Sequence, residues 1–489
     1  MVLNFIRNYK LSDYNKQGTI ALLILSIIYI IVNSYFTYNN NLYFNLVPAF
    51  LLIVFLALFA LDKLLLLVVF FVPIAVSLRD FYPRVPNDIS LPTEPILFGI
   101  LLIFIIKFLF GQKIDRKIIY HPVSLAIYFY LFWMGMTTLT STMPMVSVKA
   151  MLVRLWFIVP FYFLATQVFE RRKNIYRYIW LYVIPLVCII VYVISRHLKF
   201  GLLDNKAPTW AVWPFFNDHT AYGAILAFFV PVLAGFAFSK RYHWNIKFFI
   251  WIVIFILIFA VIFSYSRAAW LSLLAAAAVG AILKFNIKLK YIFLASIIAG
   301  TYYFYNKTDI MFTLKRNKQD ASKDLAQHFQ SISNVTSDAS NLERLNRWHC
   351  AMKMFAQKPV FGWGIGTYQF KYAPFQKSED MTIISTNAGD MGTAHSEYIG
   401  PLAEMGVLGA LAFVGIIVAT IYTGFKVYKR TQSREVKILA VVVLMGLITY
   451  YFHGSLNNFL DTDKAACLFW GFTAMLVALD VFHTKTIDN

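Results

Sequence analysis

The chain has 489 residues, 60% of them hydrophobic, 18% aromatic and only 14% charged, with a formal net charge of +20. A soluble domain cannot hide that much apolar surface, and repeated apolar runs of about 17–25 residues are the length that spans a bilayer. The composition excludes a string of soluble domains and predicts an all-α polytopic membrane protein.

The first apolar run, Thr19 to Tyr35, follows Arg7, Lys10 and Lys16 and lacks a small-residue cleavage site. It reads as a retained helix rather than a signal peptide. About fourteen spans are expected in all, near 18–36, 43–61, 64–79, 94–110, 121–138, 150–168, 175–195, 220–238, 248–264, 268–283, 291–305, 397–425, 437–452 and 465–482. With the N-terminus in the cytoplasm, alternation places Lys113, Arg116 and Lys117, then Arg171 to Lys173, Lys240 and Arg241, and Lys426, Lys429 and Arg430 in cytoplasmic loops. That agrees with the positive-inside rule. The expected organisation is one membrane domain: spans in 1–305, a long outer loop at 306–395, and three further spans in 396–489. The outer loop, about ninety residues, is far longer than a connection needs to be. It carries Lys307, Lys315, Arg316, Lys318, Lys323, Arg344, Arg347 and Lys353 against the charge rule, as a loop meeting an anionic partner would. The cysteines Cys188, Cys350 and Cys467 are scattered without metal or disulfide spacing.

Four places carry candidate chemistry. The break SYSRAAW, Ser264 to Trp270, sets Arg267 between two strongly apolar spans. A guanidinium at that depth is costly and is usually paired or facing a polar cavity. Arg154, within the sixth span, raises the same question less sharply. In SNLERLNRWHCAMKMFAQKPVFGWGIGTYQF, Ser340 to Phe370, the residues Leu342, Leu345, Trp348, Met352 and Phe355 recur at helical spacing, which predicts an amphipathic helix. Arg344 and Arg347 lie three apart on one face of it, and arginine forks match phosphate oxygens. Gly362, Gly364 and Gly366 then permit a tight loop with exposed N–H groups, although the lysine and context of a nucleotide-binding loop are missing. His395 stands at the outer mouth of the twelfth span, where a neutral imidazole could take a proton from a hydroxyl. Glu397 and Glu404 follow it as candidate supporting acids. The last outer loop, HGSLNNFLDTDKAA, contains Asp461 and Asp463. Two carboxylates without further ligands read better as an ordinary polar loop than as a metal site.

SYSRAAWLSLLAAAAVG at 264–280, RLNRWHCAMKMFAQKPVFGWGIGTYQF at 344–370 and AHSEYIGPLAEMGVLGALAF at 394–413 together resemble the O-antigen ligase/polymerase superfamily of bacterial membrane glycosyltransferases. FNDHTAYGAILAFFVPVLAG at 216–235, containing His219, is similar to a weaker feature of that family. The resemblance implies a GT-C-like fold in the bacterial inner membrane with its active site facing the periplasm. It also implies an undecaprenyl-diphosphate-linked glycan as donor. The acceptor would be a sugar hydroxyl of lipid A-core in a ligase, or another lipid-linked repeat unit in a polymerase. A protein hydroxyl is the acceptor in related oligosaccharyltransferases. Arg267 matches the family's essential arginine, Arg344 its arginine before the tryptophan, and His395 its proposed base; Arg347 joins them by helical spacing alone, and His219 stands as a further supporting candidate. Direct displacement at the anomeric carbon would invert configuration, and with arginines on the diphosphate no metal or cofactor is expected. No nucleic-acid partner is implied; the membrane lipids are. The extra pair of spans, against about twelve in typical ligases, lies before the motifs. A flippase would instead place charge at the bilayer midplane and show internal repeats, whereas here the conspicuous residues gather at one face.

Overall fold

A computed structural model describes residues 16–82, 89–111, 114–285, 301, 305–306, 339–378, 381, 385 and 392–484. The expected span at 291–305, apart from 301 and 305, and the lysines and arginines at 307–323 lie outside the described residues. The fold is all-α and polytopic, as the apolar runs require: lipid offers no partner for backbone N–H and C=O groups, so each crossing satisfies them within a helix. Among the described residues, eight helices are long and apolar enough to cross a membrane, and three shorter apolar helices accompany them.

Residues 1–64 and 65–489 form separate units. In the first, helices Lys16–Tyr38 and Val47–Phe59 are joined by the turn Tyr43–Leu46. Phe44 of that turn stacks on Phe36 with ring centroids 4.8 Å apart, and Asn33 donates to Asn45 at 2.7 Å.

The helix Leu61–Phe71, which crosses from the first unit into the second, stops short of the span expected at 64–79. Pro73 is the cause, since proline disfavours the helical conformation of the residue before it and lacks the N–H that continues the ladder. A two-residue hairpin, Val76–Ser77 with Ser90–Leu91, follows. The remaining long helices are α1 (Thr93–Leu109), α2 (Pro122–Leu139), the span Pro144–Val168, α3 (Arg172–Leu198), α4 (His219–Ala237), α5 (Trp244–Phe263), α6 (Arg267–Lys284), α7 (Ala339–Gln357), α8 (Ile399–Arg430), α9 (Arg434–His453) and the terminal span Asp463–His483. The terminal span is the bundle's centre, with every residue from Asp463 to Leu479 buried. Small residues let its neighbours close on it: a Cβ at Gly471 would lie 2.2 Å from the Tyr178 hydroxyl of α3. That hydroxyl donates to the Cys467 carbonyl at 2.7 Å. Small-residue packing and interhelical hydrogen bonds of this kind are what hold helices together in lipid. Large apolar side chains such as Phe248, Phe249 and Phe255 are left on the bundle's outside, facing the hydrocarbon that the chain's composition demands.

Most of the basic helix termini fall at one end of the bundle, with Arg196 and Arg267 at the other. Lys107, Arg172, Lys284, Lys426 and Arg430 lie at one end of their helices. The starts of α1, α4, α6, α8 and the terminal span lie at the other, where the candidate residues gather.

Candidate active site

At that second end, the chain entering α8 is shaped by Ser396. Its Oγ accepts from the N–H groups of Tyr398 and Ile399, both at 3.3 Å, which starts the helix as an N-terminal cap does. The residue before it, His395, adopts φ 48°, a left-handed conformation in which histidine is enriched among non-glycine residues. Burial first, then the neighbouring Arg344 and Arg347, lowers the imidazole pKa to about 4, while Asp218 and Glu343 oppose the shift. His395 is therefore neutral at physiological pH.

The two arginines differ. Arg344 of α7 donates from Nε to the Leu456 carbonyl at 3.2 Å, which ties the helix to the loop before the terminal span. Arg347 is buried: Nε lies 2.5 Å from Glu343 Oε1 and the guanidinium sits 3.8 Å over the Tyr372 ring. Ser385 donates to the other Glu343 oxygen. Among the described residues, Arg347 Nη1 has no hydrogen-bond partner.

The face that α7 buries is not its apolar stripe. Glu343, Asn346, Arg347, Cys350, Ala351 and Met354 are buried, whereas Met352 is 46% exposed and Leu342, Leu345, Trp348 and Phe355 are only partly covered. Cys350, Ala351 and Met354 pack with Tyr368, Tyr372, Ala394 and Ala403. This places Arg344 and Arg347 beside the segment that carries His395.

The glycine loop after α7 corrects the sequence expectation. Its N–H groups are engaged: Trp363 and Gly364 donate to the carbonyls of Ala403 and Glu404 at 3.0 and 2.9 Å. Gly364 has φ 107° and a Cβ there would lie 2.0 Å from Ser141 Oγ, so glycine serves close packing rather than anion binding. The loop docks on a kink in α8, where Gly406 (φ 66°) approaches the Val360 carbonyl. Glu404 belongs to this joint, since its carboxylate accepts from the Tyr368 N–H at 3.1 Å. Glu397 is directed elsewhere too. Its Oε1 accepts from the Tyr450 hydroxyl and the N–H groups of Phe459 and Leu460 at 2.8, 2.7 and 2.9 Å. Both acids fasten elements of the site to one another, and neither carboxylate is spent on the imidazole.

The remaining candidates separate. Arg154 pairs with Asp461 at 2.8 Å, whereas Asp463 accepts from Thr93 Oγ1 at 2.5 Å, so the two acids of D-T-D have different partners. Arg267 opens α6 directly after Ser266, and a Cβ on Gly223 of α4 would lie 2.6 Å from Ser266 Cβ. The break is thus pressed against the first turns of α4, close to His219. His219 Nδ1 lies 3.0 Å from Asp218, which caps α4 by accepting from the Thr220 N–H at 3.0 Å. These bonds hold the Asp218 carboxyl well below the usual carboxylate range despite its burial.

Asp218 is a residue the sequence reading passed over, as is Lys464, and Asn458 belongs to the last outer loop, which was read as an ordinary polar loop. With His395 and Asp463 they line a cavity of about 380 Å³. Asp218 looks in sequence like an ordinary helix cap, which it also is. The signal that could have marked it is its position beside His219, in a segment already singled out.

A family profile described as O-Antigen ligase matches residues 252–414. An uncharacterized protein of Haemophilus influenzae is 24% identical over 396 residues, 78% of this chain and 90% of the relative. The profile match spans Arg267, Arg344, Arg347 and His395, and it supports the O-antigen ligase/polymerase superfamily for this chain.

Proposed function

We propose that the protein is an O-antigen ligase of the inner membrane. It would transfer polysaccharide from undecaprenyl diphosphate to a sugar hydroxyl of lipid A-core, with its site facing the periplasm in a GT-C-like arrangement. The observation that carries this is a buried, neutral His395 at the entrance to α8, on a cavity that Asp218 also lines and next to the segment of α7 that carries Arg344 and Arg347. Lysines and arginines at the far ends of the helices support the orientation.

In this reading the acceptor hydroxyl gives its proton to His395 as its oxygen forms the new bond at the anomeric carbon. The bond from that carbon to the phosphate oxygen breaks, and its electron pair leaves with undecaprenyl diphosphate. Configuration inverts. Arg344 and Arg267 neutralise the charge that develops on the diphosphate, a preorganised electrostatic role. The same charges couple donor binding to base strength. Arg344 and Arg347 add to the effect of burial in depressing the basicity of His395, and a bound diphosphate would screen them and raise the imidazole pKa by the part that the arginines contribute. The base then strengthens only when the donor is in place.

The test is transfer by the purified protein in lipid nanodiscs, with an undecaprenyl-diphosphate-linked glycan and lipid A-core. His395→Ala should lower the rate by about 100-fold or more, and Arg267→Ala and Arg344→Ala should do likewise while the proteins remain folded. Wild-type rates from His395→Ala would remove the histidine from the mechanism. Transfer to a second lipid-linked repeat unit but not to lipid A-core would make the protein a polymerase.

A further inference from the structure

The cavity beside His395 has a chemical character of its own. It lies where four segments meet: the strand pair with Ser77 and Ser90, the loop before α4 with Phe216 and Asp218, the approach to α8 with His395, and the start of the terminal span with Asp463 and the loop before it with Asn458. Asp463 is 1% exposed. Thr93 satisfies its Oδ2 at 2.5 Å, and Oδ1 has the Lys464 ammonium 3.6 Å away. Among the described residues, neither Asp463 Oδ1 nor Asn458 Oδ1 has a hydrogen-bond partner. Lys464 is itself held by the Ala75 carbonyl at 3.0 Å and lies over the Phe216 ring.

A buried carboxylate oxygen without a donor is costly. Two acceptor oxygens left open on one cavity call for a ligand rich in hydroxyl donors. Lys464, the cation of the lining, is engaged by Asp463 and the Ala75 carbonyl, so the two carboxylates Asp218 and Asp463 disfavour a phosphate, and Phe216 offers an apolar wall to the C–H face of a ring. The volume suits a small ligand or the end of a larger one. We propose that this cavity is the acceptor subsite, in which Asp463 and Asn458 take hydrogen bonds from the hydroxyls of the acceptor's terminal sugar. In this assignment Arg344, on α7, serves the donor diphosphate, and Asp463 and Asn458 serve the acceptor. The assignment rests on the transferase reading above.

The test uses the full-length protein in nanodiscs, with Asn458→Cys as reporter and the exposed Cys188 replaced by serine. Maleimide labelling is followed in the presence of the delipidated core oligosaccharide, the delipidated repeat unit, or undecaprenyl diphosphate. Either sugar should slow labelling about tenfold or more, and undecaprenyl diphosphate should leave it unchanged. Protection by undecaprenyl diphosphate, or by neither sugar, overturns the assignment. In transfer assays Asp463→Asn should raise the acceptor KM by roughly ten- to a hundredfold with the donor KM unchanged; a rise in the donor KM alone contradicts it. Should Asp463→Asn fail to fold, Asn458→Ala gives the same split with a smaller rise. Sugar protection in a protein that transfers no glycan would sink the transferase reading and leave the sugar site standing.

Discussion

Removing Arg347 should damage the site through the fold before it touches the chemistry. The Glu343 and Arg347 side chains are 6% and 5% exposed, with 2.5 Å between charged atoms. Arg347→Ala would leave the Glu343 carboxylate buried with, among the described residues, the Ser385 hydroxyl as its remaining hydrogen-bond partner. Breaking a buried pair from one side costs about 3–5 kcal/mol, and losing the guanidinium over Tyr372 adds about 0.5–2 kcal/mol. Against domain stabilities on the order of 5–15 kcal/mol, this is enough to loosen α7 and carry Arg344 away from His395. The protein recovered by size exclusion after graded heating in detergent should melt well below wild type. Glu343→Leu with Arg347→Met should regain most of that loss, because apolar replacement of both partners removes the buried charge. A single variant as stable as wild type, or a double variant no better than the single, would refute the buried-pair reasoning. In the folded double variant, a raised donor KM would show that Arg347 Nη1 also holds the diphosphate.

The His395 base is active when neutral, and its pKa is lowered to about 4. The kcat/KM profile, which reports the free enzyme, should therefore stay flat from pH 8 to about 5 and fall only near pH 4. The kcat profile should fall at higher pH, since bound diphosphate screens the arginines; an inflection near 6.5 in both would contradict the coupling. Gly364→Ala should lower folded yield sharply, because its Cβ meets Ser141 Oγ at 2.0 Å with φ 107°; normal yield and melting would show that the loop does not dock there. Transfer should survive EDTA, since Asp461 is paired with Arg154 and Asp463 with Thr93, which points the two carboxylates to different partners. Activity lost to EDTA and restored by Mg would overturn that.

Much of the bundle was legible because bilayer thickness dictates the length of an apolar run. Apart from 291–305, each expected span coincides with a helix, with 64–79 cut short before Pro73. The break carrying Arg267 was also readable, since a short polar interruption between two apolar spans leaves little freedom. The buried face of α7 was not. Periodicity pointed to Leu345, Trp348 and Met352, but the buried face is held by the Glu343–Arg347 ion pair and by Asn346, Cys350 and Ala351, which a count of hydrophobic residues does not mark. The partners that fix Glu397, Glu404 and Arg154 were equally hidden. Tyr450 and Asp461 lie far along the chain from the groups they bind, and nothing local announces such pairings. Asp218 was concealed differently, by performing a capping role that accounts for it without a site.

The most direct measurement is the surface glycan profile of a deletion strain complemented with wild type or with His395→Ala. The account predicts that wild type restores polymer on lipid A-core. It predicts that His395→Ala, at equal protein level, leaves the core bare while polymer accumulates on undecaprenyl diphosphate. Full restoration by His395→Ala would contradict the account.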